Sequence, residues 1–380
     1  MQKRTKPPLK PSRLFQFRNT YDNNQVLKFT DNKYKVGEFM KYLDELENGG
    51  VLPVGVDDGY DEVKIVLPDG TCIRVPSHAK SGHDSVISFG DEEKTVFEYE
   101  VGNKAFMAGN VLEHDSTASD EYPISDLNKV IVAHALRVAE LTGKHELAIC
   151  SGLPLKKYYK MRNLNAEVIS AKKKNLLANA VKSADNYSLP MIKSHEVLAE
   201  GLAAWFDFIT FRKEDGSIGR DKEKYNLRVA VIDIGGRTTD IAVIQKGQLE
   251  YARSSTIEVG MLSVKEQLKD LIKEELDIEI NNEQMFQALS EGKIKAWGEW
   301  YDIKPLLEES EQIIADRIQS ESKRKLKNAS DIDLVLFVGG TVNKIPHLIE
   351  GWFRHQKIAD NPGFANARGM QKYAQMLLDS

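Results

Sequence analysis

The chain predicts an α/β protein built of two similarly started halves, and three observations carry that prediction. The first is a pattern that occurs twice: an apolar run, an aspartate, one residue, a glycine, then a second apolar run. It reads "LPVGVDDGYDEVKIVLPDGTCIRV" from residue 52 and "VAVIDIGGRTTDIAVIQ" from residue 229. The second is a shared ending. In each copy a turn-forming piece, Pro68-Asp69-Gly70 or Lys246-Gly247-Gln248, leads into a third extended stretch, so both copies read as β-meanders. The third is an apolar run from Leu334 to Val338 that ends in Gly339-Gly340-Thr341 ahead of an amphipathic helix. The halves fall near residues 51–200 and 201–380, with residues 1–50 as an N-terminal extension.

Length and composition bound the rest. At 380 residues the chain has room for two or three domains, and 41% apolar with 29% charged residues is the mixture of an ordinary globular protein. No apolar run reaches eighteen residues, so no membrane-spanning helix is predicted. The basic N-terminus lacks the apolar stretch of a secretory signal. Cys72 and Cys150 are far apart and the eight His form no ligand-spaced pair, which fits a reducing cytoplasm and leaves Mg²⁺ as the one metal worth considering.

Residues 1–50 hold ten Lys/Arg against six Asp/Glu, while the remainder carries a net −9. The first twenty residues have six basic side chains, three prolines and no acid, too little apolar surface to order themselves; they read as a solvated leader, with a DNA contact left open. Residues 34–50, "YKVGEFMKYLDELENGG", read as a short amphipathic helix ended by Gly49-Gly50. The Lys-rich stretch 170–185 reads as a solvated helix face with Leu176, Leu177, Ala180 and Val181 inward, and residues 308–327 as a surface helix with Ile313, Ile314 and Ile318 as its stripe.

A glycine turn between two buried strands points to a ligand. Glycine lets the backbone approach closely, and successive N–H groups in such a turn form an anion nest. Gly59 serves the first turn and Gly235-Gly236 the second, where Thr238 and Thr239 add hydroxyls. Asp57 and Asp233 stand at strand ends, where they can hold a hydrated Mg²⁺. Lys64 lies seven residues after Asp57, as Asp240 does after Asp233, and would reach a phosphate as a point charge. Two such hairpins face to face would clamp a polyphosphate and its metal. Gly339-Gly340-Thr341 is a third docking place, but it is not GxGxxG and no acidic residue stands beyond it at Rossmann spacing, so a dinucleotide fold is disfavoured.

Together and in this order, "VDDG", "VIDIGGRTTDIAVI" and "VLFVGGTVNKI" resemble the phosphate 1, phosphate 2 and adenosine motifs of the actin/Hsp70/sugar-kinase ATPase superfamily. Within it the sequence is most similar to plasmid-segregating bacterial actins of the ParM/StbA type. "IVAHALRVAE" (131–140) and "LAICSGLPLKKYY" (147–159) resemble further pieces of that family, and the resemblance covers about residues 51–380. It implies two duplicated RNase H-like domains around a central nucleotide cleft. It implies binding and hydrolysis of ATP (or GTP) with Mg²⁺, and filament assembly timed by hydrolysis. Self-association and a DNA-binding adaptor on a plasmid centromere are the implied partners, in the cytoplasm and away from membranes.

Residue by residue, the resemblance implies water-mediated Mg²⁺ contacts from Asp57 and Asp233, with Asp233 also catalytic. Nucleotide contacts are implied for Asp57, Asp58, Gly59, Lys64, Gly235, Gly236, Arg237, Thr238, Thr239, Gly260, Gly339, Gly340 and Thr341. In "SHEVLAEGLAAW" the catalytic glutamate would be Glu196. The sequence departs from the family at Tyr60-Asp61, where small residues are usual, and at Arg237, which replaces a Thr and would supply a cation to offset Asp61. It also lacks a third glycine after Gly340. Two other readings share the hairpins: a small-molecule kinase or phosphatase, and a nucleotide-binding scaffold that has given up turnover.

Overall fold

The computed structural model describes residues 28–30, 50–83, 96–111 and 113–380. The basic leader and the helix expected over 34–50 lie outside the described residues.

The first sheet uses β1 (Lys28–Thr30), β2 (Val51–Asp58), β3 (Glu62–Val66), β4 (Thr71–Pro76), β5 (Glu146–Leu153) and β6 (Met191–Ala199), in the order β1-β4-β3-β2-β5-β6. The meander β2-β3-β4 is antiparallel; β5 and β6 then add in parallel on the other side of β2. The second sheet repeats this plan. Its meander is β7 (Arg228–Ile234), β8 (Thr239–Gln245) and β9 (Gln248–Leu249), and β10 (Leu334–Val338) and β11 (Gln356–Ile358) join in parallel, giving β9-β8-β7-β10-β11. The duplication read from the two hairpins is a duplication of whole sheets.

Helices cover both faces, which is why the central strands are apolar without a break. In β7 the two-residue period splits the side chains: Ala230, Ile232 and Ile234 join one core cluster, Val229 and Val231 the other. In the first half α1 (Asp126–Val138) covers Leu52, Val54 and Val56 with Val130, Ile131 and Ala135, its N-terminus capped by Ser125, whose hydroxyl accepts from the Asn128 N–H. Next come α2 (Ala166–Leu177) and α3 (Leu202–Ile209), the latter placing Trp205, Phe206 and Ile209 on the Val229 face of the second sheet. On the Ile232 face lie α4 (Met261–Leu276) and α5 (Lys304–Leu326), through Val264, Ile314 and Ile318. Ile314 and Ile318 are the expected stripe; Ile313 is half-buried.

The last helix, α6 (Ala365–Leu378), returns to the first half of the chain. It joins Cys150, Ala203, Met370 and Ala374 in one cluster, and it needs small residues to come so close. A Cβ on Gly55 would lie 2.0 Å from the Ala367 carbonyl oxygen, and one on Gly369 would lie 1.8 Å from that of Ala203. The C-terminal helix is thereby wedged between the first sheet and α3.

Candidate functional site

Strand pairing explains the matched spacing of the two hairpins. Asp57 lies opposite Lys64 in β2–β3, and Asp233 opposite Asp240 in β7–β8. A seven-residue offset is the signature of one register used twice. The turns differ: the second is closed by the Gly235 N–H donating to the Thr238 carbonyl at 2.9 Å.

The glycine segments gather at one place. A Cβ on Gly339 (φ +102°) would lie 2.3 Å from the Ile234 carbonyl oxygen and 2.6 Å from Asp233 Oδ1. One on Gly260 would lie 2.5 Å from the Gly235 carbonyl oxygen. Thr341 Oγ1 donates to that same oxygen at 2.8 Å. The first two N–H groups of α4, on Met261 and Leu262, donate to the carbonyls of Gly235 and Gly236 at 3.1 and 2.7 Å. Across the cleft, a Cβ on Gly236 would lie 2.8 Å from Asp61 Cβ, so the hairpins touch. A cavity of about 20 Å³ between them is lined by Gly59, Lys64, Gly236, Gly340, Thr341 and Lys344, among others. Lys64, buried beside Asp57 with Nζ 3.6 Å from Oδ2, reaches toward both Gly59 and Gly340.

Beside the gap four carboxyl groups, Asp57, Asp233, Asp240 and Glu200, are made weaker acids by burial. Asp57 is raised by burial, with Lys64 opposing and Asp58 reinforcing. Burial lifts Asp233 to about 6 although Asn366 donates to its Oδ2 at 2.5 Å, and lifts Asp240 to about 8 although Thr256 Oγ1 and the Leu155 N–H donate to its Oδ1. Glu200 is raised well above the ordinary glutamate range by burial, then by Asp57, Asp240 and Asp233. Carboxyls crowded in a low-dielectric cleft ionise more readily when a cation lies among them, and oxygen-only donors suit a hard one. Among the described residues no three His, Cys, Asp or Glu side chains are placed to hold an ion together.

Several expected site residues are placed otherwise. Glu196 sits within β6 opposite Cys150, is 42% exposed, and pairs with Lys173 at 2.7 Å. The glutamate in the cleft is Glu200, where β6 ends. Its N–H donates to the Leu153 carbonyl, and its carboxyl lies against Gly152, where a Cβ would be 3.2 Å from Oε1. The signal was in the sequence: Glu200 precedes Gly201, whose φ of +77° turns the strand into α3.

Asp58 alternates to the other side of the strand from Asp57. Both its oxygens accept from Lys172 Nζ at 2.7 and 2.8 Å, and Asn128 Nδ2 adds a third bond at 2.8 Å, so no nucleotide contact is left to it. Lys172 is correspondingly buried, against the solvated face expected for residues 170–185. Thr239 Oγ1 donates to the Val259 carbonyl at 2.8 Å and serves the fold. Thr238 is buried in the hairpin turn. Arg237 does not offset Asp61. Its guanidinium pairs with Asp120 at 3.1 Å and Glu258 at 3.8 Å and lies 5.3 Å from the centre of the Tyr60 ring. The partner of Asp61 is Lys265, at 2.5 Å.

Two sheets of one plan, with an Asp-bearing hairpin from each meeting across a cleft, define the actin-like ATPase fold, and the chain has that fold. Residues 52–210 match the family model described as "Plasmid segregation protein ParM, N-terminal", and residues 231–350 match "Archaeal actin homologue MreB-like, C-terminal". Similar solved structures include the archaeal actin homologue Ta0583 (19% identity, TM-score 0.65) and a pCBH ParM non-polymerisable quadruple mutant (20%, TM-score 0.68), each alignment covering 86% of this chain and 99% of that one. A 15-stranded ParM filament from Clostridium botulinum aligns over the same shares, with 19% identity and a TM-score of 0.66. No curated protein matches the chain in sequence.

Proposed function

We propose that the protein binds ATP (or GTP) with Mg²⁺ between its two halves, 51–200 and 201–380, hydrolyses it, and assembles into filaments that segregate plasmid DNA through a DNA-binding adaptor. The observation that carries the nucleotide part is the convergence of both hairpins, Gly260 and Gly339-Gly340-Thr341 around Asp57, Asp233 and Glu200. The assembly part is supported by likeness to a ParM filament structure, and the ligand class by likeness to Ta0583 in complex with ADP. No helix among the described residues is long and apolar enough to cross a membrane. The cytoplasm is the location that this reading assigns.

In this reading the Gly59 and Gly235-Gly236 turns present backbone N–H groups to the phosphates, and Lys64 adds a fixed positive charge. Asp57 and Asp233 orient the hydrated ion. An ion held there by Asp57 and Asp233 through water would supply charge neutralisation for the phosphates. Glu200 takes the role expected of Glu196: its raised basicity suits it to orient a water and accept its proton.

The test is ninety-degree light scattering with Mg-ATP, with phosphate release read in the same sample. A rise that decays as phosphate appears supports the reading. Glu200→Ala should keep the rise and stretch the decay, whereas Glu196→Ala should behave like the parent. Phosphate release without scattering would point to a soluble kinase or phosphatase, and nucleotide binding with neither signal to a non-hydrolysing scaffold.

A further inference from the structure

We propose that Asp61 is a built-in anion that holds the phosphate end of the cleft and latches the two halves shut through Lys265, so that an incoming nucleotide must displace it and its terminal phosphate then inherits Lys265. This rests on the nucleotide reading above and adds how access to that site is regulated.

The ion pair joins the two halves of the site. Asp61 belongs to the first hairpin. Lys265 lies one turn into α4, the helix whose first N–H groups hold the carbonyls of Gly235 and Gly236 in the second hairpin. Asp61 Oδ1 and Lys265 Nζ are 2.5 Å apart, with side chains 14% and 24% exposed. Burial opposes ionisation of Asp61, but Lys265 first and then Lys344, which lines the gap between the hairpins, hold its carboxyl in the ionised form. Asp61 thus sits where cations and a glycine turn converge, the environment a phosphate would seek. Beside it, Arg237 reaches back over Tyr60 to Asp120 and reinforces the closure.

Cavity sizes show what the latch excludes. The gap between the hairpins is about 20 Å³, far below the ~300 Å³ at which small-molecule sites begin. On the other side of Tyr60 and Asp61 lies a cavity of about 320 Å³, bounded by His78, His114, Thr117, Lys265 and Lys269. Tyr60 and Asp61 wall both spaces. Swinging Asp61 away joins them into one space of ligand size and frees Lys265 for the arriving anion.

The test is stopped-flow binding of N-methylanthraniloyl-ATP with Mg²⁺ to the full chain, with hydrogen exchange on the nucleotide-free protein beside it. Asp61→Asn keeps the shape and removes the charge. It should speed association at least tenfold and quicken amide exchange in residues 57–62 and 235–239. Lys265→Gln should also speed association, but it should speed dissociation as well, because the phosphate loses its cation. Parent and Asp61→Asn binding at the same rate would overturn the latch. So would unchanged exchange in both variants, whatever the nucleotide does. If neither parent nor variants bind while exchange still quickens, the latch stands and the nucleotide reading falls.

Discussion

Asn366 and Asp233 are 133 residues apart in sequence, yet the Asn366 amide donates to Asp233 Oδ2 at 2.5 Å. The same side chain accepts through Oδ1 from the N–H groups of Gly201 and Ala204 at 3.1 and 3.2 Å. One amide near the start of α6 therefore ties the second hairpin to the start of α3, immediately after Glu200.

Replacing Asn366 by Ala should leave two buried N–H groups and one buried carboxyl without this partner. Each such loss costs about 1–3 kcal/mol. A urea midpoint that moves down with an unchanged m-value is the expected result. Because the Asn366 bond opposes the rise in Asp233's pKa, that pKa should climb further above about 6.

Asp240 sets a dependence of stability on pH. Its folded pKa is about 8, above the ordinary 3.8, so the native state holds a proton that the unfolded chain has given up. The associated stabilisation is fully present below the unfolded value and is lost as pH rises toward 8. In the absence of divalent cations, melting temperature should fall between pH 5 and pH 8. Asp240→Asn preserves an oxygen for Thr256 and the Leu155 N–H and should flatten that slope; an equally steep slope in the variant would assign the effect elsewhere.

Lys172 and Asp58 form a buried pair with side chains 2% and 1% exposed. Lys172→Met strands the carboxylate and should cost about 3–5 kcal/mol. The double change Lys172→Met, Asp58→Leu should recover much of that loss in chemical denaturation, since the uncompensated charge is gone. No recovery would mean that the pair positions α2 in a way that apolar packing cannot replace.

Gly369 lets α6 cross α3 with almost no gap. Gly369→Val should force the helices apart, with an overpacking cost of about 1–3 kcal/mol. Because Asn366 sits one turn earlier on α6, nucleotide affinity should fall along with thermal stability.

Much of the fold was legible because it rests on short-range pattern. The two Asp-x-Gly hairpins announced their register through the Asp57–Lys64 and Asp233–Asp240 offsets. The buried central strand β7 showed itself as an unbroken apolar run ending in Asp233. The structure brings Gly59, Gly235, Gly260 and Gly339 to one cleft. Choosing between Glu196 and Glu200 needed the point where β6 ends: Glu196 lies within the strand and pairs with Lys173, whereas Glu200 follows its last residue.

Sequence alone determined the α/β class, the duplication and the identity of the cleft-forming turns, because strand period and turn chemistry act over a few residues. Tertiary structure alone decided that Asp58 belongs to Lys172, that Asp61 belongs to Lys265, and that the last helix returns to the first sheet. Those pairings span 114 and 204 residues and leave no local trace. Charges of either sign are common along the chain, and only the folded backbone selects which two share a buried space.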